Sequence, residues 1–158
     1  MTSQLSIFLR NHEAAARAGL DLIRRAAKGQ RRRPWSDQLA VLANDAEADL
    51  LALQRLMRSL GVAPDPLLGA ALRLGERAGR LKPNGHLVRR APLSDLVEVE
   101  GTLQALQLKA AGWRALQAGG VVSDGQTDLL SLTARAEAQV ARVTALHHDV
   151  AATSLRAD

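Results

Sequence analysis

Four stretches of about 25 residues carry apolar side chains at alternating spacings of three and four, and this helical period constrains the fold more than any other feature of the chain. Leu5, Phe8, His12, Ala15, Gly19, Leu22 and Ala26 form one such stripe, on a helix expected from Ser3 to Lys28. The second, expected from Ser36 to Leu60, shows Leu39, Leu42, Ala46, Asp49, Leu53, Leu56 and Leu60. Leu96, Val99, Glu100, Leu103, Leu106 and Ala110 mark a third from Leu93 to Ala118. The fourth, Gln126 to Ser154, shows Leu129, Leu132, Ala136, Val140, Val143, Leu146, His147 and Val150. Breakers separate them: Gly29 to Pro34, with Ser36 as the expected cap of the second helix; Gly61 and Pro64; and the Gly119-Gly120 pair. Rods with narrow apolar stripes bury them only against each other, so the expectation is all-α, a four-helix bundle forming a single domain over 1–158.

The link between the second and third helices is long and interrupted by Pro and Gly, with a short extra helix expected from Pro66 to Leu81 and a turn at Lys82-Pro83-Asn84-Gly85. Such a link has two solutions. It runs the length of the bundle, or it folds back over one end and leaves a simple up-down order. Gly79-Arg80-Leu81-Lys82-Pro83-Asn84-Gly85, followed by Ala91-Pro92-Leu93-Ser94-Asp95-Leu96-Val97-Glu98-Val99-Glu100-Gly101, resembles a family of uncharacterised ferritin-like bacterial proteins, chiefly actinobacterial. The similar register covers most of the chain, and Glu47-Ala48-Asp49 falls where that family tends to be acidic. The resemblance implies a ferritin-like bundle and no established activity.

Composition removes whole classes of chemistry. There is no Cys, which excludes disulfides, iron–sulfur clusters, thiolate zinc sites and cysteine nucleophiles. Phe8, Trp35 and Trp113 are the three aromatics, too few for a base-stacking platform. The N-terminal MTSQLSIFLRNHE lacks a basic leader region, and no run approaches the length of a membrane span, so a cytoplasmic protein is expected. Residues 1–90 carry a net charge of +8 and residues 91–158 a net of −3, with the excess concentrated in 24–33 and 73–90. Of 21 basic residues 18 are Arg, so these segments read first as solvated faces and nucleic acid is not the expected partner. A homodimer is the default assembly.

The chemistry natural to such a bundle is a di-iron centre built from inward Glu residues and Glu-x-x-His pairs. The residues three before His12, His86, His147 and His148 are Leu9, Pro83, Thr144 and Ala145, so that motif is absent, as is His-Glu-x-x-His. A thinner set remains. His12, Asp49, Glu100 and His147 each fall inside the apolar arc of their own helix, one per helix. They read first as an internal polar network in which buried groups satisfy each other, and second as ligands for iron, manganese or zinc. Trp35 and Trp113, near helix ends, are expected either to be buried there or to anchor a partner. Two functions stay open: a non-enzymatic structural or partner-binding bundle with a degenerate metal site, and a metal-binding protein or metal-dependent oxidoreductase using the reduced ligand set.

Overall fold

The computed structural model describes residues 3–65, 92–122 and 128–156. Four long helices account for most of them: α1 (Gln4–Gly29), α2 (Ser36–Ser59), α3 (Pro92–Ala118) and α4 (Leu129–Ser154), with no strand among the described residues. The extra helix expected at 66–81 and the basic segment 73–90 lie outside the described residues.

The helix ends follow from local chemistry. The Ser3 hydroxyl accepts from the Ser6 backbone N–H at 3.1 Å and caps α1. Asp128 caps α4, accepting from the N–H groups of Leu130 and Ser131, and those bonds with the Ser131 hydroxyl hold its carboxyl below the usual carboxylate range. Ser36, expected as a cap, is instead the first residue of α2, and the cap position falls on Trp35 without a side-chain bond. The turn before α2 is closed by backbone bonds, Arg33 N to Gln30 O and Ser36 N to Arg33 O, so no hydroxyl is needed to start the helix. Gly61 and Gly120 sit at positive φ, 67° and 64°, one past the caps of α2 and α3. At each, the next amide reaches back to the third-last helical carbonyl: Val62 N to Met57 O, and Val121 N to Leu116 O.

Two apolar clusters define the ends of the bundle. One gathers Leu9 of α1, Leu56 and Met57 of α2, Trp113 and Leu116 of α3, and Leu132 of α4. The other gathers Ile23, Leu39, Val99, Leu146 and Val150, from the opposite ends of the same helices. Val140 packs against both. Hence α1 and α4 run one way and α2 and α3 the other, and the chain between Ser59 and Pro92 joins opposite ends of the bundle. α1 packs on α2 and α3, and α3 on α4. Helices α2 and α4 meet through long polar side chains, Asp45 with Arg142 at 2.9 Å and Asp49 with Arg135.

The hairpin between α1 and α2 is tied to the start of α3. The Gln30 side chain is buried; its Nε2 donates to Glu98 Oε2 at 2.9 Å and its Oε1 accepts from Trp35 Nε1 at 2.6 Å. Arg33 donates to the buried Asp95 carboxylate at 2.6–2.7 Å. Within the basic segment 24–33, therefore, Arg31 and Arg32 are exposed as a solvated face requires, whereas Arg33 compensates a buried charge.

Candidate functional site

The midpoint of the bundle is a charged layer. Asp49, 2% exposed on α2, receives groups from two other helices. Lys109 Nζ of α3 donates to its Oδ2 at 2.5 Å, Gln139 Nε2 of α4 donates to the same oxygen at 3.2 Å, and Arg135 of α4 donates to Oδ1. Lys109 also donates to Gln139 Oε1. Positions 135 and 139 are one helical turn apart, which is why α4 can present both to one carboxylate. Burial pushes the Lys109 ammonium below its ordinary value; Asp49 opposes that shift and Arg135 adds to it. A second buried carboxylate, Glu13, is held by Arg17 one turn on at 2.5 Å and by Gln54 of α2 at 3.0 Å.

His12 lies toward the α3 side of α1. Its ring is tilted on Phe8 with centroids 4.2 Å apart and seats against Gly112 of α3. A Cβ on Gly112 would come within 2.8 Å of two ring atoms, so the imidazole occupies space that only glycine leaves open. Burial pushes the His12 pKa down. A cavity of about 50 Å³, partly open to solvent, lies beside it between α1, α2 and α3. His12, Asp49, Lys109 and Trp113 line this cavity together with hydrocarbon from Phe8, Leu20 and neighbours. The Trp113 indole N–H is buried and has no hydrogen-bond partner among the described residues.

Of the four residues expected in the core, the structure brings Glu100 and His147 together and sets Asp49 and His12 on one cavity. His147 Nε2 lies 3.2 Å from Glu100 Oε1 across α3 and α4. That pair is peripheral: the Glu100 side chain is 48% exposed, against the core position expected for it. The correction has a geometric cause. Val99 and Thr102 take the inward positions at this height of α3, which turns Glu100 to the rim. Among the described residues no hydrogen bond joins Asp49 or His12 to Glu100 or His147, and no group of three or more His, Asp or Glu is placed to hold a metal ion. The four expected residues are thus not brought to one point among the described residues where they could share an iron, manganese or zinc ion. The cations that complete the Asp49 layer escaped sequence reasoning, although Lys109 carried a signal: it is one of three Lys in the chain and adjoins Ala110 in the apolar arc of α3. Trp35 and Trp113 both pack in the apolar clusters rather than standing free as anchors.

Comparison of the chain with protein-family models, with curated proteins and with solved structures gives no match. What fold and site define together is an all-α bundle with an internally ion-paired centre.

Proposed function

We propose that this chain is a ferritin-like bundle acting as a structural or partner-binding module, in which internal cations take the place of a metal. The observation that carries this reading is the Asp49 layer. The Lys109 ammonium and the Arg135 guanidinium both bind the carboxylate that a bundle metal would need as its anionic ligand. A divalent ion at that point would have to displace two cations, each already desolvated or hydrogen-bonded in place. The order of the helices supports the ferritin-like part of the reading, since α2 and α3 run parallel and the link between them joins opposite ends, as in ferritin-like folds with one long crossover.

The test is elemental analysis of tag-free protein, with thermal unfolding in and out of chelator. The expected result is iron, manganese and zinc well below one per chain, and a melting temperature that chelator leaves unchanged. Stoichiometric metal that is lost on Asp49→Asn or His147→Ala would overturn the reading in favour of a metal-dependent one.

A further inference from the structure

We propose that the cavity between α1, α2 and α3 binds a small, largely apolar, uncharged molecule bearing one hydrogen-bond acceptor, to which the Trp113 indole N–H donates. This goes beyond the functional reading above and does not depend on whether the bundle holds metal.

The polar inventory of the cavity selects the ligand. Trp113 is 3% exposed, lines the cavity, and carries a buried N–H with no partner among the described residues. An indole nitrogen is a donor only, so the missing partner is an acceptor. A buried donor left unpaired carries the full cost of its desolvation, and a ligand acceptor removes that cost. His12, the other polar group on this side, makes no hydrogen bond among the described residues, and its depressed pKa leaves the imidazole neutral at neutral pH.

Charge is excluded by the opposite wall. Arg135 does not line the cavity, and the two ionised groups that do, Asp49 and Lys109, are paired with each other at 2.5 Å, so an ionised ligand would give up its hydration without a free counter-charge on the wall. The rest of the lining is hydrocarbon: Phe8, Leu20, Leu53 and Leu106 among others. Water is the competing occupant; an ordered water takes about two to four polar partners, and the two uncommitted ones here, the Trp113 N–H and the His12 ring, stand in an otherwise hydrocarbon wall that favours an apolar body over water. Size completes the description. At about 50 Å³ the cavity is well below the roughly 150 Å³ that accepts benzene, so the enclosed part of the ligand has only a few heavy atoms. A short-chain ketone meets every condition.

The test is titration of the full-length, nitrogen-15-labelled protein with 2-butanone, following its two indole N–H resonances, assigned with Trp35→Phe. The Trp113 resonance should shift saturably, with a dissociation constant on the order of millimolar for so small a ligand. The Trp35 resonance should stay in place, because that N–H already donates to Gln30. Trp113→Phe removes the donor while retaining most of the ring volume. It should weaken binding about five- to tenfold when measured by saturation transfer to the ketone. Ala16→Leu, which fills the cavity, should abolish binding in protein whose helical spectrum is intact. The proposal fails if neither resonance shifts up to about 100 mM ketone, beyond the range expected for a ligand of this size. It also fails if both shift equally and without saturation, or if Trp113→Phe binds as tightly as the parent.

Discussion

Asp49 is the residue on which most of the polar interior depends. Asp49→Asn keeps the shape of the side chain but removes the charge that compensates Lys109 and Arg135, and the expected loss is about 3 kcal/mol in denaturant unfolding. Lys109→Met combined with Asp49→Leu should cost less than the sum of the single changes by about 0.5–3 kcal/mol, because the Lys109–Asp49 bond lost in each single change is lost only once in the pair. His12 makes a pH prediction. Its folded pKa lies below its ordinary value of 6.5, so between the two the unfolded chain binds more protons than the folded one. Its contribution is therefore full above about pH 6.5 and is lost as pH falls toward the folded value. His12→Phe, measured by thermal unfolding across that interval, should show a shallower loss on acidification than the parent.

At the scale of elements, the hairpin between α1 and α2 is held by specific bonds and not by its charge. Arg31 and Arg32 are exposed and make no hydrogen bond or ion pair among the described residues, so Arg31→Ser and Arg32→Ser should each change stability by no more than about 0.5 kcal/mol. Arg33→Ser strips the counter-ion from a carboxylate that is almost wholly buried, and it should cost about 1–3 kcal/mol. Equilibrium urea curves of the three variants separate these outcomes; equal midpoints would show the Arg33–Asp95 pair to be idle. The same hairpin explains why a serine two residues after a proline misleads as a start signal. Gln30, reaching Trp35 and Glu98 at once, organises the turn from within the breaker segment Gly29 to Pro34 itself.

Across the whole molecule, the two apolar clusters are stacked along one bundle, with Val140 packing on both and the Asp49 layer joining α2, α3 and α4 near its middle. Trp113 belongs to one cluster and Trp35 packs against the other, so the chain carries one fluorophore per end. Thermal unfolding followed in Trp35→Phe and in Trp113→Phe, and by far-ultraviolet dichroism, should give coincident transitions for each variant, as cooperative single units do. A difference between the fluorescence transition and the dichroism transition of the same variant would show that the ends unfold separately.

The local and periodic part of the structure could be read from the residues alone. Apolar spacing marked four helices with ends within about three residues of those observed, and Gly61 and Gly120 closed two of them because a left-handed residue at that position is cheap only for glycine. The periodicity also separated buried from exposed positions for Leu39, Leu56, Val99 and Val150. It placed Asp49 inside. Packing settled what Asp49 meets, since Lys109 and Gln139 lie 60 and 90 residues further along the chain and no spacing rule relates them. It also turned Glu100 to the rim, seated His12 in the gap left by Gly112, and ran α3 parallel to α2. A helical period records which face of each rod avoids water. How the rods turn and order themselves so that charges pair and glycines face rings is a property of their packing, and it exists only once all four are together.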